Sequence, residues 1–211
     1  MTSQENTDIA TLMKTIEFAS IKHRDQRRKD KHSTPYINHP IGVANQISQI
    51  GKVYDTVVLQ AALLHDTVED TNTTKDELVK EFGQKVADIV MDVTDDKSLP
   101  KVERKKHQVE HAAHISREAK LVKLSDKLYN LSDILGNAPP FWTVSVIQGY
   151  FVWGKAVVNQ IRGTNKALEE KLDQVFASSF IYKDGATYRA IPCTPEEEPQ
   201  FLESYYKEIA E

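Results

Sequence analysis

Apolar residues return every three or four positions along most of this chain, the spacing that gives a helix one buried face. Ile9, Leu12, Met13, Ile16 and Ala19 predict a first helix that begins near Asp8 and runs into a charged segment. Lys31-His32-Ser33-Thr34-Pro35 reads as a loop, and Pro40 suits the first position of a second helix. His39 then stands at or beside that helix's cap, ahead of Ile41, Val43, Ala44 and Ile47. Gly51 interrupts the pattern, and Asp55 caps a third helix carrying the apolar run Val57 to Leu64. Thr74-Lys75-Asp76-Glu77 has the spacing of a capping box for a short helix ending near Gly83, and Val86, Ile89, Val90 and Val93 mark the next face. Pro100 opens a helix with a thin apolar face, Val102, Val109 and Ala112, expected to meet solvent beside a cleft. Ser116 caps a long helix through Leu124, Leu128, Leu131 and Leu135, interrupted by Asp126 and Asn130 and ended by Gly136 and Pro139-Pro140. A helix from Trp142 to about Ile161, then one capped by Thr164 and running through Leu168, Leu172 and Phe176, complete an all-α body over residues 1–178.

The pattern then changes. Phe180-Ile181-Tyr182 and Thr187-Tyr188-Arg189-Ala190-Ile191 flank Asp184-Gly185, the signature of a small β-hairpin. Thr194-Pro195 starts an amphipathic helix with Phe201, Leu202, Tyr205 and Ile209 on one side. An isolated hairpin is marginal in water, so residues 179–211 are expected to dock on the helical body or on a second subunit.

Candidate chemistry gathers where the buried run ends, at His65, Asp66, Glu69 and Asp70. On a continuous helix His65 lies over Glu69 and Asp66 over Asp70. Carboxylates in a last helical turn oppose the macrodipole, and a lone His-Asp pair is more often structural than functional. Four such groups at the end of a rigid apolar element favour a site for a metal or for proton transfer. His107 and His111 also stand four apart, but no acidic or apolar framework surrounds them; with His23, His32 and His114 they read as surface residues.

Composition narrows the field. A chain of 211 residues with 40% hydrophobic and 27% charged residues fits one soluble globular domain with a substantial core. No apolar run approaches the roughly 20 residues that cross a bilayer, and the first residues lack a basic and then apolar leader, so the expectation is a cytoplasmic protein without a membrane partner. Cys193 is the one cysteine, which excludes an intrachain disulfide and a thiolate zinc cluster. A metal here needs His and carboxylate ligands. The net charge of −4 opposes a nucleic-acid partner, whereas the basic segment His23 to Lys31 suits a small polyanion such as a nucleotide. The competing reading of that segment is a solvated helix end with cations on the dipole.

His39, the doublet His65-Asp66 and the later Asp126 resemble the H…HD…D signature of HD-domain phosphohydrolases. Three longer runs are more specific: Thr34-Pro-Tyr-Ile-Asn-His-Pro40, Ala61-Ala-Leu-Leu-His-Asp-Thr-Val-Glu-Asp-Thr71 and Val122-Lys-Leu-Ser-Asp-Lys-Leu-Tyr-Asn-Leu131. They resemble the hydrolase domain of RelA/SpoT proteins, and most closely its small stand-alone animal form, the metazoan SpoT homologue (Mesh-type) family. The similarity spans roughly residues 8–178.

The resemblance implies an all-α HD fold and a manganese ion held by His39, His65, Asp66 and Asp126. Spacing by itself supports only the His65-Asp66 doublet. It further implies removal of the 3′-pyrophosphate of guanosine tetraphosphate (ppGpp), with NADPH 2′-phosphatase activity as the alternative in the animal branch and Glu69-Asp70 as the catalytic pair. Arg28 and Lys29 are the first candidates for substrate contact, with Lys97, Lys101, Asn130 and Tyr150 as further cleft residues. Ser125, Ser132 and Val146 depart from the pattern of the animal relatives and bear on substrate affinity. A nucleotide-binding sensor without catalysis is the rival from another class, and a homo-oligomer is left open.

Overall fold

The computed structural model describes residues 3–210. Their elements follow in the order α1 (Ser3–Lys22), α2 (Asn38–Gln49), α3 (Thr56–Leu64), α4 (Thr67–Asp70), α5 (Lys75–Phe82), α6 (Gln84–Val93), α7 (Lys101–His111), α8 (Arg117–Asn137), α9 (Val144–Asn159) and α10 (Lys166–Phe176), then β1 (Ser179–Ile181), β2 (Thr187–Arg189) and α11 (Glu198–Ala210). The fold is all-α apart from the antiparallel pair β1–β2. No helix among the described residues is long and apolar enough to cross a membrane.

Two helices organise the core. α3 is buried from Val58 to Leu64, as its largely apolar run requires, and Gln60 within it donates to Thr15 Oγ1 at 3.1 Å. α8 packs against α2, α3, α6, α9 and α10 and buries Leu121, Val122, Leu124, Leu128 and Leu131. Its contact with α2 is close enough that a Cβ on Gly42 would stand 2.0 Å from the Tyr129 ring. Ser125 is buried in the same interface, where its hydroxyl donates to the Val43 carbonyl at 2.9 Å; Ser132 is exposed.

Side-chain caps mark the starts of α3, α5, α8, α9 and α10. Asp55 accepts from the Val57 and Val58 amides, Ser116 from Ala119 and Thr143 from Val146. The differences from expectation are local. α1 begins upstream of Asp8. Asn165, not Thr164, caps α10: its Oδ1 accepts from the Leu168 amide at 3.1 Å, while the Thr164 hydroxyl donates back to the Ile161 carbonyl at 2.7 Å. Thr74 caps α5, but Glu77 turns away to pair with Lys22 at 2.9 Å, so only half of the capping box forms. His23 is not a surface residue: it is 1% exposed and its ring lies 5.0 Å from that of Tyr36.

The extension docks on the body. α11 packs on α9 and α7, and Phe180 of β1 stacks over Phe151 of α9 with ring centroids 6.5 Å apart. Gly185 supplies the hairpin turn at φ +81°, a region open to glycine and costly for other residues. α7 has no buried residue, in line with its thin apolar face.

Candidate active site

The expected continuous helix through His65 and Asp70 does not form. α3 stops at Leu64 and α4 starts at Thr67, with Asp66 at φ −99°, ψ −1° between them. Consecutive residues of an unbroken helix diverge by about 100° around its axis. The break lets two neighbours aim at one point, and His65 Nε2 lies 3.0 Å from Asp66 Oδ2. His39, in the first turn of α2, brings its Nε2 to 3.2 Å from His65 Nε2. Asp126, midway along α8, brings Oδ1 to 3.2 Å from His39 Nε2 and 3.7 Å from His65 Nε2.

Three of these groups are oriented by hydrogen bonds from outside the cluster, whereas His39 Nδ1 is buried without a partner among the described residues. The His65 Nδ1–H donates to the Ala62 carbonyl at 2.8 Å, which turns the Nε2 lone pair inward. Tyr36 donates to Asp66 Oδ2 at 2.6 Å, Asn130 to Asp126 Oδ1 at 2.7 Å, and Lys127 to Asp126 Oδ2 at 3.1 Å. Burial would push the Asp66 and Asp126 carboxyls up, but His65 beside Asp66 and Lys127 beside Asp126, with His39 near both, hold them well below the usual range. Burial also disfavours the His65 imidazolium, and Asp66 and Asp126 outweigh it and raise its pKa. Two imidazoles and two ionised carboxylates suit a divalent cation with nitrogen and oxygen ligands. Edges of about 3 Å are those of ligands about 2.0–2.2 Å from a shared centre. His39, His65 and Asp126 alone already form a group able to hold a metal ion.

The cluster adjoins two cavities. The larger, about 370 Å³, is lined by Arg28, Lys29, Tyr36, Asp70, Asn130 and Tyr150, among others. The smaller, about 50 Å³, is lined by His65, Asp66, Glu69, Gln108, Asp126, Lys123 and Lys127. Glu69 and Asp70 therefore belong to different cavities. Asp70 accepts from Gln26 Nε2 at 2.8 Å and pairs with Lys97. Glu69 accepts the Asp95 amide at 3.2 Å; burial first, then the Asp95 and Asp66 carboxylates, push its pKa up to about 7.

Of the basic candidates, Arg28 is held by Asp133 at 2.9 Å and Asn130 at 3.0 Å, while Lys29 pairs with no carboxylate among the described residues. Lys97 reaches the site through Asp70 and stands 3.9 Å from Glu69. Lys101 is exposed and outside the walls of both cavities, close enough to Lys29 for that charge to lower its pKa, after burial. His107 and His111 stack on each other, exposed on α7, with ring centroids 3.8 Å apart.

Residues 15–141 match the HD domain family. The protein from Danio rerio named guanosine-3′,5′-bis(diphosphate) 3′-pyrophosphohydrolase MESH1 is 59% identical over 167 residues, 79% of this chain and 93% of the relative. The Homo sapiens protein of the same name is 55% identical over 81% of this chain and 95% of its own. This chain belongs to the MESH1 family of HD-domain phosphohydrolases. A solved metazoan orthologue of SpoT that hydrolyses ppGpp superposes with a TM-score of 0.78 at 51% identity, over 79% of this chain and 94% of the other.

Within this HD-domain enzyme, several residues that shape the site gave no sequence signal of their own. Gln26 and His23 lie in a charged segment, yet His23 Nδ1 and Gln26 Oε1 are 2.6 Å apart and Gln26 carries the link on to Asp70. Lys123 is 7% exposed at the small cavity, where burial and then Lys127 push its pKa down to about 8. A lysine on the buried stripe of α8 was the available clue.

Proposed function

We propose that this chain is a manganese-dependent ppGpp 3′-pyrophosphohydrolase, yielding GDP and pyrophosphate, with residues 1–178 as the hydrolase unit and 179–211 as its extension. The observation that carries the reading is the convergence of His39, His65, Asp66 and Asp126 beside a cavity with a basic wall. The activity for which the relatives are named supplies the substrate. In this reading those four residues hold Mn²⁺. The cation supplies Lewis-acid polarisation of a phosphoryl oxygen and a water acidic enough to react near neutral pH.

Glu69, the carboxylate of the small cavity, takes a proton from the attacking water. Asp70, fixed by Gln26 and Lys97, faces the large cavity and orients the reacting group. Arg28, Lys29, Asn130 and Tyr150 line the space for the nucleotide, and Lys97 and Lys101 add positive charge at its edge. The substrate is a small nucleotide rather than a nucleic acid, in a cytoplasmic enzyme. Purified protein incubated with Mn²⁺ and ppGpp is expected to release pyrophosphate. Orthophosphate and NADH from NADPH would assign the 2′-phosphatase reaction instead, and tight binding without any product would make the chain a sensor.

A further inference from the structure

The relatives match over 79–83% of this chain but 93–98% of their own lengths, so a stretch about as long as residues 179–211 is additional to them. Its last helix meets the wall of the nucleotide cavity. Tyr205 of α11 is 3% exposed and sits against Gly149 of α9, where a Cβ would stand 2.2 Å from the Tyr205 ring. The next residue on α9, Tyr150, lines the large cavity. Between the helices, the Lys105 ammonium of α7 lies 3.4 Å from the centroid of Trp153, 4.6 Å from that of Tyr150 and 5.6 Å from that of Tyr205.

We propose that Tyr205 is a positioning residue for the nucleotide cavity: seated in the Gly149 notch, it closes the aromatic box around Lys105 and fixes the ring of Tyr150 on the cavity wall. Tyr150 has two aromatic neighbours on its own side, Trp142 at 5.2 Å and Trp153 at 5.1 Å. Lys105 stands against the Tyr150 ring at 4.6 Å, and Tyr205 backs Lys105 in turn at 5.6 Å. The stem and terminal nitrogen of Lys105 pack among these ring faces. The same box reaches the ligand cluster, because Trp153 also carries the Lys127 ammonium 4.5 Å from its centroid and Lys127 holds Asp126. The extension thus does more than cover apolar surface: it sets one wall of the cavity.

The inference rests on the proposed nucleotide role of the large cavity, and a double-mutant cycle with ppGpp tests it. Tyr205→Ala is expected to raise KM about twofold to thirteenfold with kcat kept, as loss of an aromatic contact of about 0.5–1.5 kcal/mol predicts, and Tyr205→Phe is expected to restore the wild-type KM. In Tyr150→Ala protein, Tyr205→Ala is expected to add little, because its effect passes through a ring that is already gone. An extension that only stabilises the fold would lower the active fraction, and so apparent kcat, and leave KM unchanged. An unchanged KM, or effects that add in full, overturns the proposal while leaving the hydrolase reading intact; a wild-type protein without turnover overturns that reading instead. If Tyr205→Ala does not yield folded protein, Tyr205→Leu, which fills the Gly149 notch without an aromatic face, goes through the same cycle with the same outcomes.

Discussion

Glu69 lines the small cavity and Asp70 the large one, although they are adjacent in the chain. Their shared motif disguises two environments. Glu69 accepts a backbone amide and its pKa stands at about 7, whereas Asp70 is gripped by a glutamine amide and a lysine. Two carboxylates in such different surroundings are suited to different tasks.

The pH profile separates them. A raised carboxyl pKa means that the base form of Glu69 is present above about pH 7 and lost below it. The rate of ppGpp turnover at saturating substrate and metal is therefore expected to rise with pH through the neutral range. Glu69→Gln should remove that limb and lower kcat about 10²- to 10⁴-fold, with metal content unchanged. A Glu69→Gln enzyme that keeps the rising limb would assign it to another group.

Metal binding competes with protonation of its ligands. His65 is raised and Asp66 and Asp126 are depressed, so at falling pH a proton competes first for His65 Nε2 while the carboxylates stay ionised. Mn²⁺ affinity measured by calorimetry is expected to weaken from pH 8 towards pH 6, and chelation should abolish activity and lower Tm. Asp126→Asn should leave less than one bound Mn²⁺ per chain. Stoichiometric metal in that variant would remove Asp126 from the ligand set.

The Gln26 amide has a fixed orientation because its oxygen faces His23 Nδ1 and its nitrogen donates to Asp70. Gln26→Glu puts a second carboxylate against Asp70, and kcat is expected to fall about tenfold or more, the cost of replacing a charge-assisted hydrogen bond of roughly 1.5–3 kcal/mol. Thermal denaturation should change little by comparison. Equal loss of kcat in Gln26→Glu and Gln26→Leu would show that the lost amide donor, not repulsion between carboxylates, is what Asp70 feels.

The helices were readable because their signals are local: an apolar stripe, a cap such as Asp55 or Ser116, a terminating Gly-Pro pattern. The Asp184-Gly185 turn announced the hairpin for the same reason. The break between Leu64 and Thr67 was hidden, since the residues on either side still fit helical spacing and only the convergence of His65 and Asp66 requires it. Asp126 reached the ligand set through family resemblance, as its distance to His39 depends on how α8 packs across α2 and α3. His23 was misread because a histidine among Arg and Lys carries no periodic mark of burial; its ring is enclosed by the fold of the loop that follows α1. The contact of Tyr205 with Gly149 joins residues far apart in the chain and left no trace in either neighbourhood.

The unequal size of the two cavities has a kinetic consequence. About 50 Å³ behind Glu69 has room for water but not for anything as large as a nucleotide. In the proposed reaction the wide cavity beside Arg28 and Lys29 is therefore the space for both nucleotide substrate and nucleotide product, so each is expected to compete with the other for the same walls.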